Sequence, residues 1–68
     1  MNPEFAPHAY PVLKYFEVDH LPMELQRVSK PFQVIAQDMA TDLPQGPEVS
    51  AGLRKLLEAK DCFVRSVL

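Results

Sequence analysis

The sequence lacks the usual covalent and metal-based means of stabilising a very small protein. Its 68 residues include a single cysteine, Cys62, so no internal disulfide can form. His8, His20 and Cys62 do not follow the paired spacings of structural zinc sites, and we expect no bound metal. A core of this size seldom supplies more than about 3–5 kcal/mol. Association is the source of stability that remains, and we therefore expect a homo-oligomer.

Long apolar runs and an excess of basic residues are also missing. No apolar run approaches the roughly 18 residues needed to cross a bilayer, and no secretory leader is recognisable. We therefore expect a cytoplasmic protein without a membrane partner. Seven basic residues stand against nine acidic ones, for a formal charge of −2. General nucleic-acid binding needs a dense positive face, so we expect none, and any bound anion must be small.

The sequence shows little sign of catalysis. None of the hydroxyls of Ser29, Ser50 and Ser66, nor the thiol of Cys62, lies in a nucleophile elbow or beside an identifiable base. With two glycines in the whole chain, a glycine-rich phosphate loop is excluded. We expect neither catalytic residues nor a cofactor, and predict that the protein is not an enzyme.

Proline placement separates an N-terminal arm from the rest of the chain. Residues 1–22 hold four of the seven prolines and four of the six aromatic residues. Because proline fixes φ and lacks an N–H donor, a helix through residues 3–11 is disfavoured. Residues 12–18 suit either an extended segment or a short helical turn. We predict an extended arm over residues 1–21 that packs on a neighbouring surface.

From Pro22 onward the apolar residues follow a helical period. They predict a first helix over about residues 21–42, which Pro31 either kinks or interrupts. The stripe continues through Pro31 without a change of phase, which favours one kinked helix. The stripe consists of Leu25, Val28, Phe32, Ile35, Met39 and Leu43.

A second helix is predicted over about residues 47–67. Pro44 ends the first helix, and Pro47 suits the first position of the next one. The short connection makes the two helices antiparallel neighbours, and Gly52 would allow their backbones a close approach. The predicted fold class is all-α, with residues 22–68 forming a helical hairpin.

The predicted hairpin gathers positive charge at its open end. A turn near residue 45 brings Lys30 level with Lys60, and places Arg27 and Arg65 at the same end. The arm would add Tyr15. Basic groups beside an aromatic ring are suited to phosphates and a stacked base, so these five residues are the candidate ligand-binding site. The alternative is a solvated face of mixed charge, with the aromatic ring as a packing anchor.

Two stretches of the sequence resemble a known group of proteins. LPQGPE followed by GLRKLLEAKDCFVR looks like the second helix of small helical bacteriophage proteins. These include the hairpin domain of sponges that sequester cyclic-oligonucleotide immune signals in the CBASS and Thoeris systems. The first helix, with HLP and LQRVSKPF, resembles short phage proteins as well. The similarity covers about residues 19–66.

The resemblance implies a non-enzymatic anti-defence protein that forms a compact oligomer and binds cyclic di- or trinucleotides between subunits. In the bacterial cytoplasm such a protein would remove an immune signal. The other hypothesis is a small structural or protein-binding module, in which the arm and the apolar stripes contact a host or phage partner.

Overall fold

The computed structural model describes residues 10–68, which form three helices and no strand. A 3₁₀ helix spans Pro11–Phe16, α1 spans Met23–Asp42 and α2 spans Pro47–Ser66. The all-helical class and the two long helices are therefore confirmed, with every end within two residues of the predicted one. The part of the predicted arm before Tyr10 lies outside the described residues.

The first long helix continues through its internal proline. Pro31 lies inside α1, so the helix is not interrupted there, as the unbroken apolar period had indicated. Pro22 directly precedes α1, where a residue without an N–H donor loses no helical hydrogen bond. The amide of Gln26 folds back and donates to the carbonyl of Leu21 at 2.8 Å, which fixes the entry of the chain into the helix.

The two long helices form a hairpin. Residues 43–46 connect them, and Pro47 occupies the first turn of α2, where its fixed φ is compatible with a helix. The helices pack against each other along their length. Because the connection is so short, α1 and α2 run in opposite directions.

The described part of the arm contains a short helix, which is one of the two structures that the sequence left open for residues 12–18, and not the extended segment of the predicted arm. Pro11 begins the 3₁₀ helix, because its fixed φ is as suitable for a helix start as for an extended chain. The hydroxyl of Tyr10 accepts the backbone N–H of Gly46 at 3.1 Å. At the other end, the ammonium of Lys60 donates to the carbonyl of Tyr15 at 3.1 Å. The 3₁₀ helix therefore lies along the hairpin and runs from its turn toward its open end.

The core lies where the 3₁₀ helix meets both long helices. Tyr10, Phe16 and Leu53 are each 5% exposed or less, and two alanines of α1, Ala36 and Ala40, complete the cluster. The arm therefore supplies two of the large side chains in this core. It acts as a third helical element of the fold and not as an appendage.

On α1 the buried face differs from the predicted stripe. The buried residues are Ser29, Ala36 and Ala40, whereas Ile35 and Met39 of the stripe are 46% and 39% exposed. At about 100° per residue, the buried line is rotated by about 70° from the centre of the apolar stripe. Small side chains face inward because the arm and α2 both approach α1 there. The larger apolar residues are left at the edge of the contact.

Ser29 offers a test of this buried line. It is 2% exposed, and within residues 10–68 its hydroxyl has no hydrogen-bond partner. Ser29→Ala removes a buried polar group without leaving a large cavity, and alanine is the better helix former. We expect a gain of about 1 kcal/mol, which would raise the melting temperature by about 4–8 °C in a domain of this size. Thermal unfolding followed by circular dichroism measures it.

The matched control is Ser66→Ala at the exposed end of α2. Its hydroxyl donates to the carbonyl of Phe63 at 2.6 Å in contact with solvent. We expect a change within about 0.5 kcal/mol. A lower melting temperature for Ser29→Ala than for the wild type would contradict the assignment of Ser29 to an apolar interior.

Candidate functional site

Tyr15 is the predicted site residue that borders a distinct cleft. The cleft lies between the 3₁₀ helix and α2, and its volume is about 520 Å³, within the usual range for small-molecule sites. The ring of Tyr15 is 56% exposed, so one of its faces is accessible to a ligand. We call this space the arm cleft; it is lined by Tyr10, Pro11, Val12, Lys14, Tyr15, Ser50, Arg54, Leu57 and Glu58.

Two cations border the arm cleft. The ammonium of Lys14 lies 5.3 Å from the centre of the Tyr15 ring, a cation–π distance. Across the cleft, Nη1 of Arg54 donates to the hydroxyl of Ser50 at 3.0 Å, one helical turn earlier. That bond uses one of the five guanidinium N–H donors and fixes the orientation of the group. The cleft therefore combines an aromatic ring with two positive charges, opposed by the carboxylate of Glu58.

Lys60 supports the arm. Its side chain is 13% exposed, and its position on α2 continues the line of Leu53 and Leu56 toward the core. The ammonium donates to the carbonyl of Tyr15 at 3.1 Å and pairs with Asp61 at 3.0 Å. A cation at the carboxyl end of a helix is stabilised by the partial negative charge there. Lys60 therefore holds the backbone of Tyr15 and does not contact its ring through this bond.

The remaining predicted residues lie elsewhere on the surface. Arg27 and Lys30 are exposed on α1, and Arg65 is exposed near the end of α2. The guanidinium of Arg65 contacts the sulfur of Cys62 at 3.3 Å. These three side chains do not line the arm cleft within one copy. Their grouping around one ligand stays a prediction that needs a second copy of the chain.

Lys14 and Arg54 were not among the candidates from the sequence. The sequence pattern places the candidate cations at the open end of the hairpin. The 3₁₀ helix instead runs along α2, so that Lys14 lies opposite Ser50 and Arg54. A signal was present in the spacing of Ser50, Arg54 and Leu57, which places one hydroxyl, one cation and one apolar residue on the same side of α2. Only the path of the arm shows that this side forms a cleft.

The other side of the hairpin carries a second concave surface, of a different character. A groove of about 340 Å³ lies between the edges of α1 and α2 that the arm does not cover. Beyond the groove, the ring of Phe32 stacks on that of Phe63, with their centres 5.7 Å apart. We call this surface the apolar face; it consists of Phe32, Ile35, Met39, Leu43, Val49, Leu56 and Phe63.

Comparisons with known proteins identify no relative of this chain. No protein-family model matches the chain, and no curated protein or solved structure matches it. Among residues 10–68, no helix is long and apolar enough to cross a membrane. Within the same range, no group of three or more acidic, histidine or cysteine side chains is arranged to hold a metal ion.

Proposed function

We propose that this protein is a non-enzymatic, phage-encoded anti-defence protein that sequesters a cyclic oligonucleotide in the bacterial cytoplasm. The observation that supports the proposal is the arm cleft, where the accessible ring of Tyr15 lies beside two cations. Aromatic rings bind nucleobases by stacking, and arginine and lysine bind phosphates. The resemblance of the second helix to the hairpin domain of phage sponges supports the same ligand class.

The charges of the cleft limit how the ligand is held. Lys14 and Arg54 provide two positive charges, and the carboxylate of Glu58 reduces the net charge of the cleft to +1. A cyclic di- or trinucleotide carries one negative charge per phosphodiester, more than a single cleft neutralises. We therefore propose a homo-oligomer, in which exposed cations such as Arg27, Lys30 and Arg65 approach the ligand from a neighbouring copy. Because Lys14 covers one face of the Tyr15 ring, a base would stack on the other face.

Calorimetric titration with a panel of cyclic di- and trinucleotides tests the proposal. We expect one member of the panel to release heat and raise the melting temperature. Tyr15→Ala should weaken that binding by about 1–3 kcal/mol, or roughly 5- to 150-fold, because a stacking surface is lost. Tyr15→Phe keeps the ring and should bind nearly as well as the wild type.

A second pair of variants tests the role of charge. Arg54→Ala removes a cation of the cleft, whereas Lys55→Ala removes the neighbouring, exposed cation outside it. The first should weaken binding and the second should have little effect. Absence of heat and of any thermal shift across the whole panel would refute the proposal, as would equal effects of the two substitutions.

The second candidate function is a small protein-binding or structural module. The exposed apolar face favours it, because a surface of that kind is a common protein-contact site. Co-purification of one host or phage protein in fixed proportion, unaffected by nucleotides and lost on changing Met39 to glutamate, would support this candidate over sequestration.

A further inference from the structure

The apolar face is the largest feature of the surface that the fold leaves unexplained. Ile35, Leu43 and Phe63 are 46%, 44% and 54% exposed, although all three are large and apolar. In contrast, the buried core of residues 10–68 contains six apolar side chains, two of which are alanines. A core this small is a weak source of stability, so covering the apolar face would be a substantial gain.

Gly52 shows that the centre of this face is open. The sequence suggested that Gly52 lets α1 and α2 approach each other closely. A Cβ placed on it would instead have no atom within 4 Å outside its own local helix, so Gly52 lies along the groove and not at the helix contact. The absence of a side chain there deepens the groove between Ile35 and Leu56. A side chain from another molecule could therefore enter it.

We propose that a second copy of this chain covers the apolar face, so that two hairpins form an antiparallel four-helix bundle. The face is formed by one line of residues on each of two helices, and a self-complementary pair of such surfaces is the usual solution for a homodimer. This contact is separate from the approach of a neighbouring copy to the arm cleft in the proposed function, because the two surfaces lie on different sides of the hairpin. It does not depend on whether a nucleotide is bound.

The size of the face is sufficient for a specific contact. Four of its side chains are 39–54% exposed and the other three are half-buried, which leaves on the order of 500 Å² of surface per copy. A pair that covered all of it would bury about 1,000 Å², the lower limit for a specific interface. Contributions from Val67, which is 53% exposed, and from the polar rim would increase that area.

Charge selects the antiparallel arrangement. Glu48 is the one charged residue that lines the groove, and it lies at the turn end of the hairpin. In a parallel pair, two Glu48 carboxylates would lie at the same end of a dry interface, where like charges repel strongly. An antiparallel pair places them at opposite ends. The arm clefts then lie on the two outer sides of the bundle, where they remain accessible.

Light scattering at micromolar concentration tests the assembly. We expect the wild type to have at least twice the 7.7 kDa mass of one chain. Met39→Glu should reduce the mass to that of one chain, because it places a charge in the centre of the apolar face. Gln37→Glu introduces the same charge on an exposed position of α1 outside the face and should leave the mass unchanged.

A cross-linking experiment covers the case in which Met39→Glu fails to fold. In a Cys62→Ser background, Gly52→Cys should be joined to its own copy by a short bis-maleimide, whereas Lys55→Cys on an exposed part of α2 should not. A wild-type mass of 7.7 kDa would overturn the proposal. Equal cross-linking at both positions, or an oligomer whose mass is unaffected by Met39→Glu in a folded variant, would overturn it as well.

Discussion

Phe16→Ala is expected to unfold a large part of the population at room temperature. Phe16 is 2% exposed and packs in the core formed with Ala36 and Leu53. Truncating a buried phenylalanine costs about 3–5 kcal/mol, since the transfer free energy is lost and a cavity remains. A 68-residue domain has a total stability of about 3–10 kcal/mol. The loss is therefore comparable with the whole free energy of unfolding.

Urea unfolding followed by helical circular dichroism measures this effect at one fixed protein concentration, because an oligomer's stability depends on concentration. The adjacent residue provides the control. Tyr15 is 56% exposed, so Tyr15→Ala should change the free energy of unfolding by less than about 1 kcal/mol. Neighbouring aromatic residues thus have different roles, one in folding and one in the ligand binding that we propose. Equal stability of the two variants would contradict the packing of the arm in the core.

The long helices could be predicted from the sequence because local signals determine them. Pro44 lies in the connection and Pro47 begins α2, and both act through fixed φ and a missing N–H donor, which depend on no distant contact. The apolar period also continues across Pro31, which indicated one helix where proline alone suggested two. The helices consequently end close to their predicted positions.

The side of α1 that is buried could not be predicted in the same way. A hydrophobic stripe identifies the core when one partner covers it, but α1 has two partners on one side, α2 and the arm. Ala36 and Ala40 are buried because these two partners approach closely, and small side chains carry little hydrophobic signal. The buried line is therefore a consequence of tertiary contacts that no period in α1 encodes.

The residues that the structure places around Tyr15 differ from those that the sequence grouped with it. Tyr15 was identified from the combination of an aromatic arm with cations, and it does border a cleft. Lys60 was identified as a ligand residue, yet its ammonium contacts the Tyr15 carbonyl, because a lysine stem can extend along a core line and deliver its charge to a helix end. The path of the arm decides which cations reach the ring.

Ala36→Leu tests the unexpected buried line of α1. Ala36 has no exposed surface, and the side chains around it come from the arm, α1 and α2 together. Three additional carbons must displace Phe16 or separate the helices, and overpacking of this kind costs about 1–3 kcal/mol or more. If the predicted stripe were the true core, position 36 would lie beside it, and a larger apolar residue would be tolerated or favourable.

The control for Ala36→Leu is Gln37→Leu, which places the same apolar side chain one residue later, at an exposed position. Chemical denaturation should show a clearly lower midpoint for Ala36→Leu and a change within about 0.5 kcal/mol for Gln37→Leu. An equal midpoint for the two variants would mean that the arm does not pack on α1. The 3₁₀ helix also forms one wall of the arm cleft, so its packing on the hairpin helps to hold Tyr15 and Lys14 opposite Arg54.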